Sequence, residues 1–377
     1  MYIPLTKPFW GKREEKAVVE ALRSFHGSGD GPFSGKLIRK LSDLTGSRYV
    51  LPVTSGTHGL ELAMIALGVK PGDEVIIPSY TMSSTANCVV LQGAKPVFAD
   101  IETRTFGMDP SSLQKCITKK TKGIIIVHYA GMPSDIESIL AIAKKNKLFV
   151  VEDAAHAIGA LYKGKALGTF GDIGVFSFHG TKNISCGEGG AVVTNRKDLA
   201  DRMEIYRANG TNRKAFLKGE IKKYSWVGKG SSYFLSDILT NIVKVQLDQI
   251  ITINNKRKEI AGYFTKHLKQ FKTLIDLPCV PRDTKPNWHI YALRFFSPEH
   301  RTIFCQIMKQ AGIEATSHFV PLHSSLMGKK LGGGKRRLPV TDEVARALVR
   351  LPIYPGLTKK ELTYITKTAR KALASLL

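Results

Sequence analysis

Two charged side chains and one turn have the types and positions to do chemistry together. Lys182 lies in FSFHGTKNISCGEGG (residues 176–190), a lone amine between an apolar, strand-like run and a glycine-rich turn, boxed in by histidine, threonine and asparagine. Asp153 closes the apolar run that opens VVEDAAHAIGA (residues 150–160), beside Glu152. Ser55-Gly56-Thr57 leads from a strand into a helix in VTSGTHGLELAM (residues 53–64). Each has a plain structural reading. Ser and Thr cap helices throughout proteins, a carboxylate after a strand can cap the next helix, and a single histidine such as His156 is most often a packing residue. Together they match one cofactor: an amine that condenses with an aldehyde, a carboxylate that keeps a pyridine nitrogen protonated, and a helix start whose free N–H groups and positive dipole end seat a phosphate. That set is what pyridoxal phosphate (PLP) requires.

The elements that must position these residues are legible around them. Between about residue 50 and 195, seven short apolar runs (RYVLPV, DEVIIP, KPVFADI, GIIIVHY, LFVVED, DIGVFSF and GGAVVTN) alternate with helical stretches such as HGLELAMIALG and DIESILAIAKKN. Strands without polar alternation, separated by amphipathic helices, predict a mainly parallel sheet covered on both faces. The catalytic candidates fall at strand ends, where an open α/β sheet binds its ligands. Residues 236–270 carry apolar positions at helical spacing and read as one long helix or two leaving this large domain. HIYALRFF, ATSHFVPLH and LVRLPIY read as strands or extended segments, and RTIFCQIMKQAG and KELTYITKTARKALASLL as helices. The prediction is a large α/β domain over residues 1–250, with the amino-terminal segment, and a smaller α+β domain over 251–377.

At 377 residues and 43% hydrophobic, the chain can bury a large core. The start, MYIPLTKPFWGKREEK, has early charges and no apolar signal region, so the expected location is the cytoplasm, with no membrane span. Five dispersed cysteines without a CxxC pair argue against a disulfide framework and against a zinc site, and no metal is expected. A formal charge of +25 attracts polyanions, but no nucleic-acid-binding motif organises the lysines. The expectation is a solvated cationic surface that helps a diphosphate substrate arrive, without specific nucleic-acid binding.

TSGTHGLELAM, PGDEVIIPSYTMSSTANCVVLQGAKPVFADI, VVEDAAHAIGA and GDIGVFSFHGTKNISCGEGGAVVTN resemble the DegT/DnrJ/EryC/StrS family of sugar aminotransferases, and the likeness extends through GSGDGPFSGKLIRKL to HFVPLH. The resemblance implies fold type I of the PLP-dependent transferases (aspartate aminotransferase-like). Lys182 is then the residue that carries the cofactor and shuttles the substrate proton. Asp153 holds the ring nitrogen, His156 sits near the ring's phenolic oxygen, and Gly56, Thr57 and Ser177 bind the phosphate. Two positions depart from the family pattern. Met82 stands where an aromatic residue usually stacks on the ring, and a thioether can pack there instead. Ser232, in GSSYFLSD, stands where many members use an asparagine to reach the neighbouring subunit's phosphate. ANGTNRKAFLKGEIKKYSWVGKGSSYFLSD is most similar to the dTDP-4-amino-4,6-dideoxygalactose transaminases. By that likeness the amino donor is L-glutamate, the acceptor is a dTDP-linked 4-keto-6-deoxy sugar destined for a surface polysaccharide such as O-antigen, and the protein is a homodimer with shared active sites. Arg213 and His323 are candidates for the sugar-nucleotide side. The competing classes are a PLP-dependent sugar dehydratase, whose relatives replace the lysine with histidine, and a nucleic-acid-binding protein that uses the +25 charge.

Overall fold

A computed structural model describes residues 1–377. Its large unit holds a sheet of seven strands: β1 (Tyr49–Val53), β2 (Glu74–Pro78), β3 (Lys95–Ala99), β4 (Thr121–Val127), β5 (Phe149–Asp153), β8 (Ile173–Ser177) and β9 (Gly190–Thr194). Between β5 and β8 the chain makes two short strands, β6 (Leu161–Tyr162) and β7 (Lys165–Ala166). The sheet order is β1-β9-β8-β5-β4-β2-β3. The pairings β3–β2–β4–β5–β8 are all parallel, and β9 runs antiparallel to both its neighbours. The absence of polar alternation has a direct cause. Ile124 and Ile126 pack into one apolar core while Ile125, between them, packs into another on the opposite face, because successive strand side chains point to opposite sides.

Helices α1 (Lys12–Arg23), α2 (Ser34–Thr45), α3 (Gly56–Ala66), α4 (Ser83–Val90), α5 (Pro110–Cys116), α6 (Ile136–Lys145), α7 (Lys197–Arg207), α8 (Arg213–Leu217) and α9 (Asp237–Leu247) belong to the large unit. One face of the sheet receives Leu37 and Leu41 of α2, Ile136 and Ile139 of α6 and Val243 of α9; the other receives Leu60 of α3, Val89 of α4 and Met203 of α7. The helical stretch over 236–270 is two helices. Helix α10 (Ile250–Leu268) starts after a break at Asp248–Gln249, because α9 packs on α1 and α2 while α10 packs on the last helix of the chain.

The smaller unit pairs β10 (Ile275–Asp276), β12 (Tyr291–Phe295) and β13 (Leu348–Leu351) antiparallel, with β11 (Thr284–Lys285) reaching back to β6. Helices α11 (Pro298–Gln310), α12 (Leu326–Lys330), α13 (Pro339–Ala347) and α14 (Lys359–Ala374) complete it. Its core joins Phe264, Phe295, Phe304 and Leu373 with one residue from the other end of the chain, Ile3. The amino-terminal segment, assigned to the large domain from sequence, therefore starts in the smaller one: Ile3 donates to Gly312 O at 2.8 Å and accepts from Glu314 N–H at 3.0 Å. Leu5 and Thr6 then line the cavity between the units, and Trp10 Nε1 donates to Ser185 Oγ at 3.1 Å in the loop that carries Lys182.

Candidate active site

The carboxyl ends of β1, β4, β5 and β8 open into one cavity of about 620 Å³ that the smaller unit closes. Because β9 runs against its neighbours, it begins at the same edge, and the β8–β9 loop folds back over the strand ends. That loop is tied across itself: Phe178 N–H donates to Gly189 O, Gly180 N–H to Gly187 O and Cys186 N–H to Phe178 O. Lys182 sits at its turn, half-buried, its own N–H held by His179 O at 2.9 Å.

Asp153 lies on the cavity floor with both oxygens fixed. Thr85 Oγ1 donates to Oδ2 at 2.9 Å and Ala155 N–H to Oδ1 at 3.2 Å. Burial raises its pKa; those hydrogen bonds and the nearby Lys182 oppose the rise. Glu152 is consumed structurally beneath the site. Its buried carboxylate meets His128 Nε2 at 2.8 Å and accepts from the N–H groups of Gly168, Phe170 and Gly171, which anchors the chain between β5 and β8. Burial lowers Lys182 to about 8, with Asp153 pulling it up and Arg350 pushing it further down. The shift favours the uncharged amine, the form that attacks a carbonyl, relative to an ordinary lysine. Burial, reinforced by Lys182 and neighbouring histidines, also keeps His156 and His289 well below the ordinary histidine range. That environment favours the uncharged form of both rings, whose centroids lie 4.5 Å apart.

Asn183, next to Lys182, fastens the loop to the rest of the molecule. Its amide donates to Asn287 O at 2.9 Å and to Asn254 Oδ1 at 3.1 Å, and its oxygen lies 3.0 Å from His289 Nδ1. Asn287 in turn donates to the carbonyls of His156 and Ile158. The segments bearing Lys182, His156 and His289 are thus one hydrogen-bonded body.

At the other end of the cavity, α3 begins at Gly56, with Ser55 Oγ accepting from His58 N–H at 3.1 Å. The N–H groups of Gly56 and Thr57 donate to nothing within the protein, which leaves two aligned donors at a helix start. Ser177 abuts this corner, where a Cβ on Gly56 would come within 3.0 Å of the serine's own Cβ. A Cβ on Gly190 would lie 2.6 Å from Gly56 N. The two glycines keep the corner open for a ligand. Thr57 Oγ1 and Ser84 Oγ pair at 2.9 Å, and Met82 caps α4 at the cavity mouth, largely exposed.

Seven of the expected residues, Gly56, Thr57, Met82, Asp153, His156, Ser177 and Lys182, line this cavity together. Three do not. Ser232 and Arg213 lie in a separate depression with Asn209 and Tyr224. His323 is buried against Ser79, its Nδ1 2.7 Å from Ser79 Oγ, and faces a further pocket. Sequence reasoning missed Thr85, Asn183, His289, His318 and Arg350. Arg350 is a cation within the apolar LVRLPIY, a signal that could have drawn attention to it. Its Nη2 donates to Ser317 O at 3.2 Å, its Nε is buried without a partner, and no carboxylate lies within ion-pair distance.

An amine and a carboxylate in one cavity, two orphan N–H donors and a glycine-lined corner fit PLP: Lys182 to carry it, Asp153 for its ring nitrogen, and Gly56, Thr57 and Ser177 for its phosphate. Comparison with known proteins points to the same cofactor. The model of the DegT/DnrJ/EryC1/StrS aminotransferase family matches residues 9–370. GDP-perosamine synthase of Escherichia coli O157:H7 is 33% identical over 97% of each chain. The spore coat polysaccharide biosynthesis protein SpsC of Bacillus subtilis is 32% identical over 98% of this chain and 96% of its own. A Streptococcus pneumoniae protein solved in both a PLP form and a PMP form superposes over the whole of both chains with a TM-score of 0.92 at 28% identity. The chain belongs to the DegT/DnrJ/EryC1/StrS family and is a PLP-dependent sugar aminotransferase.

Proposed function

We propose that the protein moves the amino group of L-glutamate to C4 of a nucleotide-linked 4-keto-6-deoxy sugar, converting dTDP-4-keto-6-deoxy-D-glucose to dTDP-4-amino-4,6-dideoxy-D-galactose. The observation that carries this reading is the meeting, in one cavity, of Lys182 poised near its titration midpoint, Asp153 and an unpaired Arg350. When bound, PLP supplies a carbonyl that takes up the donor's amino group and hands it to the keto sugar.

The rest of the work falls to the chain. Asp153 holds the proton on the ring nitrogen. Lys182, with a pKa of about 8, takes the proton from the donor's Cα and returns one at the acceptor's C4. Arg350 receives a carboxylate of the donor, since a buried guanidinium with an unsatisfied Nε is matched by a bidentate anion. Met82 lies against the cofactor face and His156 beside its phenolic oxygen. Ser232 and Arg213, outside the cavity in one chain, serve the site of a second copy in a homodimer.

Incubating the purified enzyme with L-glutamate and a panel of dTDP-, GDP- and UDP-linked keto sugars, then assigning the product's C4 stereochemistry by NMR, tests the reading. An axial amine on a dTDP sugar is expected. An equatorial amine, or amination of a GDP sugar alone, replaces the proposed substrate, and failure to aminate any keto sugar removes it.

A further inference from the structure

A further concave site lies at His323, whose ring is held by Ser79. It is a pocket of about 440 Å³ into which Lys329, Arg336, Arg337 and Arg346 converge from α12, the following glycine-rich loop and α13. Some cations elsewhere on the surface meet acids: Arg196 bonds Asp172 at 2.9 Å and Asp198 at 2.8 Å, and Lys197 bonds Asp201 at 2.5 Å. None of the four pocket cations has a carboxylate within ion-pair distance. Arg346 reaches only the main-chain oxygen of Asp342, and Arg336 only Phe98 O and Cys116 Sγ. The pocket's one acid, Asp342, faces His323 Nε2 at 3.5 Å. Asp100, behind α13, is spent on the N–H groups of Val340 and Thr341.

Four cations crowded into a hollow repel one another, and a multiply charged anion relieves that repulsion. We infer that this pocket binds a diphosphate group. Two structural features support a ligand over a merely cationic surface. The hollow has a buried polar wall in His323, locked by Ser79 through both its ring and its N–H. It also has glycines at 332–334, and Gly333 packs so tightly on His323 that a Cβ would lie 2.9 Å from the histidine's Cα. Two chain segments connect the pocket's His323 and its partner Ser79 to the catalytic cavity: Thr81 and Met82 follow Ser79, and His318 and Phe319 precede His323, all four lining the cavity. The ligand is either the substrate's own diphosphate, which rests on the nucleotide-sugar reading above, or a separate diphosphate.

Calorimetric titration of inorganic pyrophosphate into the PLP-loaded full chain tests this. The cofactor then blocks the phosphate corner at Gly56. Saturable binding is expected, weakened about tenfold or more in the double variant Arg337→Ala/Arg346→Ala, both exposed positions, and unchanged in Lys144→Ala/Lys145→Ala on α6, which contributes nothing to the pocket. If pyrophosphate also raises KM for the nucleotide sugar without altering the reaction with glutamate, the source is the substrate; if it binds without competing, the source is a separate ligand. No binding, equal affinity in the Arg337/Arg346 variant, or equal loss in the Lys144/Lys145 variant overturns the inference. The titration stands even if no keto sugar is aminated.

Discussion

Lys182 lies between fields of opposite sign: burial lowers its pKa, Asp153 raises it and Arg350 lowers it further, and together they leave it at about 8. Capture of PLP by the apo-protein needs the free amine, so its rate should climb with pH through a midpoint near 8. Asp153→Asn removes the attraction and should move that midpoint down; Arg350→Ala removes the repulsion and should move it up. Stopped-flow absorbance reads all three, and a rate indifferent to pH over roughly 7 to 9 would show that this amine is not the one that reacts. Lys182→Ala should abolish turnover while keeping the thermal transition. Arg350→Ala should raise KM for L-glutamate about tenfold or more and leave KM for the sugar alone. Asp153 was legible because a charge ends an apolar run, and Lys182 because a lone amine sits between a strand-like run and a glycine-rich turn among histidine, threonine and asparagine. Arg350 interrupts an apolar run, but nothing beside it in the chain indicates which way the strand faces, and His289 and His318 reach the cavity only once the two units pack.

At the scale of elements, the site depends on how the β8–β9 loop and the start of α3 are held. Asn183→Ala deletes three hydrogen bonds from a buried network. It should cost about 1–3 kcal/mol of stability in urea unfolding. It should also let water reach Lys182, moving the capture midpoint up towards that of an ordinary lysine; an unchanged midpoint would mean that the network holds the fold and not the amine. Gly190→Ala drives a methyl group against Gly56 N and should weaken PLP binding about tenfold while β9 stays formed, as equilibrium titration against circular dichroism would show. The strands and long helices could be read from periodicity because both sheet faces are covered. The break between α9 and α10 could not: no glycine or proline marks Asp248–Gln249, and the break reflects which partners each helix packs on. The two-residue strands β6 and β7 are a local hairpin too short to show a period, and β11 pairs with β6 across more than 100 residues, which leaves no local pattern.

At the scale of the whole molecule, the amino-terminal segment joins both units, with Ile3 in the smaller core, Leu5 and Thr6 at the cavity and Trp10 on the Lys182 loop. Ile3→Ala should cost about 2–5 kcal/mol, and removing residues 1–8 should lower the melting temperature and raise KM for both substrates; an unaltered KM would separate the segment from the site. Nothing in MYIPL announces this, since its partners lie some 300 residues away. Ser232 and Arg213 line a depression outside the single-chain cavity, and near them Trp226 is 79% exposed, where the proposed homodimer would place its interface. No helix is long and apolar enough to cross a membrane. Borohydride reduction of the PLP-loaded protein, followed by peptide mass spectrometry, tests the central claim most directly. The account predicts the cofactor fixed to Lys182 alone; the cofactor on another lysine, or on none, would contradict it.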